Sequence, residues 1–435
     1  MKKLKALLLS GVLAAAMAGC SSTAASEITG TYSYNIGGYD WGGRVDGIDL
    51  SLNAPIDKVD KDSFVITETV QDQNDKTKTN DLPVQDIYLV NDKGEKTDGP
   101  SKAIHIELTP VLEAGNPLFF SEKTGYNTWS DPYTLDIKVA EGKKLTSEGN
   151  ELTSVVIDKE ATGKTTDVDE YKEAEFTADD GVQYTYGLYE PGEKSKTLFV
   201  WLHGQGEGGS YTTKEATSLQ VCELAGDASF FLGSDFQEKT GGANVLVPMC
   251  PTYWMDPTGD KEIGAECLDY GLRQSYYTDS LMELIDKVKE ETGSDKVVVA
   301  GYSNGGYMAE ILAMEAGGKY DAYIPIAPAL KNEYVSDEDI QVLKDQPLYI
   351  IYASSDPTVD PDLYERPMIA RLKEAGATDL TVYNPDKVLD KTGHTDDKGN
   401  PVEYNGHFSW FDFVHDKASD EGKPTVFEWI GEHVK

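Results

Sequence analysis

The chain has 435 residues, 39% of them apolar and 10% aromatic, which is ordinary for a globular protein and well above the level of a disordered one. Its 39 Lys and Arg against 76 Asp and Glu leave a formal net charge of -37, and the acids are scattered along the sequence. Such a surface repels nucleic acid and anionic membranes and argues against polyanionic substrates.

The N-terminus reads as a targeting segment. Lys2, Lys3 and Lys5 precede the apolar stretch from Leu7 to Ala16, which is too short to span a bilayer. Met17-Ala18-Gly19-Cys20 resembles the lipobox of bacterial lipoproteins, with Met17 where that pattern usually carries Leu. The resemblance implies a signal peptide over residues 1–19, a lipid on Cys20 and a short tether to about residue 28. No later stretch approaches the ~18 apolar residues of a spanning helix, so the lipid is the only expected contact with a membrane, on its extracellular face. Beyond Cys20 the cysteines are Cys222, Cys250 and Cys267. Cys250 and Cys267 could pair across one loop, and no Cys/His spacing suggests zinc.

About 415 residues follow the first 20, enough for two domains. Residues 29–160 show strand alternation and turns. Gly47–Leu52, Ser63–Val70 and Ala103–Leu108 alternate apolar with polar residues, and Asp86–Val90 and Tyr133–Val139 are further strands. Turn chemistry lies between them, at Asn91-Asp92-Lys93-Gly94 and at Glu141-Gly142. This pattern predicts an immunoglobulin-like β-sandwich, without the Cys-Trp-Cys core of antibody domains. Residues 159–166 are polar and turn-like and mark the boundary.

From residue 171 the texture changes. A hairpin across Asp179-Asp180-Gly181 precedes unbroken apolar strands at Thr197–Leu202, Asn244–Pro248, Lys296–Ala300 and Leu348–Tyr352. Helical periodicity occupies Thr278–Glu291, Tyr307–Ala316 and Asp362–Ala375. Apolar strands alternating with helices predict a mostly parallel sheet covered on both faces, here over residues 171–435.

The chemistry concentrates in Gly301-Tyr302-Ser303-Asn304-Gly305-Gly306, set directly between the strand ending at Ala300 and a helix. A strand–turn–helix around G-x-S-x-G is the context that exposes a serine nucleophile in an α/β-hydrolase. The serine needs a base, and in this fold the order is Ser, acid, His. Of His105, His203, His394, His407, His415 and His433, that order leaves four. His433 lies at the frayed end and His415 inside a terminal helix. His407, in a Gly-His loop before an aromatic helix start, is preferred to His394 in a hydrophilic excursion. Asp356, first to emerge after the strand Leu348–Tyr352, is the expected acid, with Asp360 as the fallback. The backbone N–H of Asn304 and of Gln205, in the loop His203–Gly209, are the expected oxyanion donors. His203 is expected to hydrogen-bond within that loop. The glycines there fit G-x-G-x-x-G but lack the strand and acid of a nucleotide site. The aromatic loop Pro251–Gln274 could shape a pocket, though packing is its ordinary role.

With these residues in place, Leu202–Gly209, Cys250–Met255, Gly301–Tyr307 and Gly406–Trp410 are together similar to bacterial esterases with an N-terminal immunoglobulin-like domain, relatives of the phospholipase/carboxylesterase and polyhydroxybutyrate-depolymerase-like esterases. Tyr39–Gly43 and Asn127–Tyr133 look like that family's first domain. Met249 stands where relatives often carry Gln, a departure that touches a pocket contact. The resemblance implies an α/β-hydrolase fold, hydrolysis of short-chain or aryl carboxylic esters through Ser303, His407 and Asp356, and no metal or cofactor. Its partners would be small-molecule or polysaccharide-linked esters; oligomeric state is not readable. Two other readings use the same residues differently. One is a peptidase of the prolyl-oligopeptidase type, against which the lack of propeller repeats argues. The other is a non-catalytic surface lipoprotein whose sandwich binds glycan.

Overall fold

The structure, a computed structural model, describes residues 27–72, 74, 76–192, 195–209, 215–259, 273–420 and 422–435. The expected signal peptide, Cys20 and the start of the expected tether lie outside these residues, as does Cys267, so the possible Cys250–Cys267 pairing falls outside them too. Among the described residues, no helix is long and apolar enough to cross a membrane.

Two compact units divide the chain. The first runs to Phe119 and again from Trp129 to Asp167. One of its sheets orders the strands Ser154–Ile157, Glu27–Gly37, Arg44–Ile56, Ser101–Leu108, Val84–Val90 and Lys96–Thr97 side by side. The other orders Tyr133–Val139, Phe64–Gln71 and Thr77–Leu82. Alternate residues turn inward, as period-two strands require: Ile48 and Leu50, Ile66, Ile104 and Ile106, Leu135 and Ile137 are all buried. One buried cation serves the backbone. Arg44 donates to the carbonyls of Trp41, Gly43, Val111 and Leu112, and burial lowers its pKa to about 10.

The segment that reads as a linker holds a further strand. Gly163–Thr166 pairs in parallel with Ser33–Ile36. Three of its four residues are exposed, so no apolar alternation betrays it.

The second unit comprises Val168–Lys435 together with Phe120–Thr128. Its eight-stranded sheet orders Lys172–Thr177, Gln183–Tyr189, Ala243–Met249, Thr197–Leu202, Lys296–Tyr302, Ala322–Ile326, Leu348–Ile351 and Leu380–Tyr383. The first two are antiparallel additions and the remaining six run parallel. Every residue of Thr197–Leu202 and Ala243–Met249 is buried, which explains their unbroken apolar character. On one face Phe199 and Trp201 meet Phe231, Phe236 and Phe413. On the other, Leu198, Val200 and Leu202 join a core with Leu281, Leu284 and Ile285 of helix Thr278–Thr292. This is the α/β-hydrolase arrangement.

Two helices begin elsewhere than periodicity suggests. The one after Ser303 starts at once, at Asn304, and ends at Glu315. The later one spans only Glu365–Glu374, because the carbonyl of Asp360 is taken by the N–H groups of Leu363 and Tyr364 in a preceding turn. Of the aromatic loop, Tyr253 and Trp254 are buried, with Trp254 stacked near Tyr184. They pack; residues 260–272 lie outside the described part.

Candidate active site

The site stands at the C-terminal ends of the parallel strands, where the chain leaves Leu202, Tyr302 and Ile351. At the central strand the backbone turns sharply into a helix. Ser303 sits at the turn with φ 53° and ψ -113°, a left-handed conformation costly for a residue with a Cβ. The turn is possible because its neighbours are bare. A Cβ on Gly301 would lie 2.5 Å from the Gly305 carbonyl oxygen, and one on Gly305 would lie 2.0 Å from that of Leu202. The Ser303 N–H is anchored on the Ile326 carbonyl of the neighbouring strand at 2.8 Å.

Three sequence-distant side chains meet there. Ser303 Oγ lies 2.9 Å from His407 Nε2, and His407 Nδ1 lies 2.8 Å from Asp356 Oδ2. Asp356 is held from behind, since its Oδ1 accepts the N–H groups of Thr358 and Val359 at 2.8 and 2.9 Å. His407 lies in a short helical turn, Gly406–Phe408, whose entry is capped by Asn405 accepting the His407 N–H. The ring of Trp410 stands edge-on to His407 and packs on Tyr302 at 4.3 Å between centroids. Asp356 and His407 are both buried, so the line is shielded from bulk water except at the serine end. In such a line the carboxylate fixes the imidazole with Nδ1–H toward it and leaves Nε2 free to accept a hydroxyl proton.

The alternatives go elsewhere. Asp360 accepts the N–H of Asp362 in an exposed turn. His394 belongs to the hairpin carrying Val388–Leu389 and Glu403–Tyr404, where its N–H binds Asp390.

Asn304 occupies the first helical position, so its N–H has no acceptor within the helix. Its side chain is turned away, Oδ1 accepting the N–H of Trp254 at 2.7 Å. The second loop, His203–Gly209, leaves the adjacent strand, and Gln205 lies in it half-buried. His203 is fully enclosed and burial lowers its pKa to about 4, so it is neutral. Its Nε2 accepts the Cys250 N–H at 3.0 Å, leaving the proton on Nδ1, which donates to the Gly204 carbonyl at 2.7 Å. That carbonyl and the Gln205 N–H share one trans peptide, so the ring directs the Gln205 N–H away from itself. Trp254 adds a bond from Nε1 to the His203 carbonyl at 3.1 Å. The role of Trp254 is not readable from the sequence, where an aromatic cluster signals packing alone.

Two acids here have buried carboxyls, Glu207 within this loop and Glu223 beside Gly187. Glu207 Oε2 and the Tyr302 ring both crowd the α-carbon of Gly204, and desolvation pushes the Glu207 carboxyl up to about 8. Glu223 is raised to about 8 for the same reason. Both are protonated at neutral pH. Among the described residues no group of three or more His, Cys, Asp or Glu converges as a metal site.

Residues 36–154 match the family model described as the esterase Ig-like N-terminal domain. This stretch is similar to the immunoglobulin-like domains that precede esterases. Across the whole chain, a crystal structure of a thermostable esterase superposes with a TM-score of 0.69 at 19% identity, covering 93% of this chain and 99% of that one. At that identity the likeness shows the fold. An esterase of Pyrococcus furiosus aligns over 61% of this chain and 92% of its own, at 15% identity and a TM-score of 0.41. Brefeldin A esterase, a bacterial homologue of human hormone-sensitive lipase, aligns over 50% and 68%, at 16% identity and a TM-score of 0.32. No curated protein matches the chain by sequence.

Proposed function

We propose that this protein is a serine carboxylesterase acting on short-chain or aryl esters, with Ser303 as nucleophile, His407 as general base and acid, and Asp356 as the group that orients His407. The observation that carries the proposal is the unbroken line from Ser303 Oγ through His407 to Asp356, at 2.9 and 2.8 Å, mounted on a left-handed serine. The esterase family of the N-terminal domain supports ester chemistry over peptide chemistry.

His407 Nε2 takes the hydroxyl proton as Oγ attacks the ester carbonyl carbon. The oxygen of the tetrahedral intermediate sits on the N–H groups of Asn304 and Gln205. The C–O bond to the alcohol then breaks, His407 returns the proton to the leaving oxygen, and water releases the acyl group by the same route. Removing either oxyanion donor costs about 10²–10³ in kcat. The test is hydrolysis of p-nitrophenyl acetate, butyrate and octanoate by the wild type beside Ser303→Ala. Activity abolished in the variant supports the reading; equal activity in both proteins, or none on any ester, overturns it.

We also propose that Cys20 carries a lipid that holds the enzyme on the outer face of a bacterial membrane. The support is the basic, apolar and small-residue run from Lys2 to Cys20. In expressing cells, Cys20→Ser should move the protein from the membrane pellet to the soluble fraction.

A further inference from the structure

The second unit contains nine residues that the chain reaches long before the hydrolase sequence begins. Phe120–Thr128 is grouped with Val168–Lys435 by its contacts, although it lies within the stretch matched by the immunoglobulin-like domain. It is most of a hairpin whose strands are Leu118–Ser121 and Tyr126–Trp129.

Its contacts fall on the loop that carries Gln205. Asn127 donates twice to one atom: its backbone N–H reaches the Gly206 carbonyl oxygen at 2.6 Å and its side-chain Nδ2 reaches the same oxygen at 3.0 Å. Both lone pairs of that carbonyl are thereby engaged. Gly206 itself has φ +95°, a conformation that favours the absence of a Cβ. On the return of the loop, Thr217 donates its hydroxyl to the Asn127 carbonyl at 2.6 Å, and its N–H binds Gly208. The Tyr126 hydroxyl is engaged by Glu215. The hairpin therefore holds Gly206 on one side and Glu215 and Thr217 on the other. His203 fixes the peptide before Gln205, and Asn127 fixes the peptide that follows Gly206.

The hairpin also presents an apolar ring. Phe120 is 43% exposed, yet its edge lies only 3.0 and 3.3 Å from where a Cβ on Gly206 would stand. An exposed aromatic ring against the residue after an oxyanion donor is placed to meet the arm of a bound ester.

Resting on the esterase reading of this site, we propose that residues 120–128 complete it: Asn127 is a positioning residue for the oxyanion loop, and Phe120 contacts the apolar acyl or aryl part of the substrate. Losing the Nδ2 bond loosens Gln205 without touching the triad. Losing the ring removes apolar contact without touching the loop.

The experiment is steady-state hydrolysis of p-nitrophenyl acetate and butyrate by the full chain, with Asn127→Ala, Asn127→Gln and Phe120→Ala beside wild type. A fluorophosphonate label on Ser303 reports the nucleophile, and a trifluoromethyl ketone mimics the oxyanion adduct. Asn127→Ala should lower kcat about five- to tenfold on both esters with KM within twofold, and weaken the ketone by the same factor. Asn127→Gln, which keeps a donor, should recover part of both losses. Phe120→Ala should cut the butyrate-to-acetate ratio of kcat/KM about tenfold. Unchanged kcat in Asn127→Ala, or a rise in KM alone, overturns the positioning role. An unchanged chain-length ratio in Phe120→Ala overturns the contact. If wild type neither takes the label nor hydrolyses either ester, it is the esterase reading that fails; a labelled, active wild type with unaffected variants sinks only this inference.

Discussion

Two glycine-rich turns leave adjacent strands of one sheet, and they are held in opposite ways. The turn Gly301–Gly306 is set by its glycines and by backbone contacts with the neighbouring strands. Gly305 packs on the Leu202 carbonyl, the Ser303 N–H binds the neighbouring strand, and the helix starts at the next residue. The turn His203–Gly209 is held by hydrogen bonds with distant parts of the chain: Asn127 on Gly206, Trp254 on the His203 carbonyl, and the ring of His203 on the Cys250 N–H. A turn fixed by local sterics carries its instructions in six consecutive residues. A turn fixed by borrowed hydrogen bonds carries almost none of them.

The contrast can be broken by mutation, beginning with the largest effect. Ser303→Ala and Asp356→Asn should each lower kcat by about 10⁴-fold or more, with thermal unfolding little changed. His394→Ala should leave ester hydrolysis intact, and a loss there as large as in His407→Ala would overturn the assignment of the base. Gly305→Ala should prevent the turn from closing, seen as loss of folded protein or a fall of many degrees in Tm, because its Cβ would meet the Leu202 oxygen at 2.0 Å. The borrowed turn should respond differently, losing rate before it loses stability. His203→Ala should cost kcat about 10–100-fold through the Gln205 N–H. Trp254→Phe, which deletes the Nε1 bond together with part of a buried ring, should cost kcat about two- to tenfold. Equal kcat in Trp254→Phe and wild type would show that the His203 carbonyl needs no such support.

The smallest effect is one of pH. Glu207 and Glu223, raised to about 8 by burial, keep protons in the native state that the unfolded chain releases near the ordinary carboxylate value. The native state binds more protons between about pH 4.3 and the raised values, so stability falls as pH rises through that window. Glu310 and Glu365, also raised by burial, act in the same direction. Tm should therefore decline from pH 6 to pH 9, and Glu207→Gln should flatten the decline. A Tm independent of pH over that range would contradict the burial of these acids.

What could be read from the sequence follows the same division. The parallel sheet was visible because Thr197–Leu202 and Lys296–Ala300 are buried on both faces and so apolar throughout. Ser303 was visible because its strand and helix are its immediate neighbours, and Asp356 and His407 because chain order and strand ends narrow the choice. The strand Gly163–Thr166 was not, since an exposed edge position imposes no alternation. Asn127 stood out only as part of a first-domain motif; its two bonds to Gly206 join positions 79 apart, and nothing in either neighbourhood points to the other. Protonation of Glu207 likewise depends on the crowding around Gly204, which no local pattern encodes.

The route of the backbone between Phe119 and Trp129 has a practical meaning for taking the molecule apart. The covalent chain passes from one unit to the other at three peptide bonds, at 119–120, 128–129 and 167–168. Cleavage near residue 168 would leave nine residues of the hydrolase unit attached to the other fragment. A protein begun at Val168 would lack them altogether. For recombination or shuffling, a cut at the apparent linker therefore divides the second unit rather than freeing two whole ones.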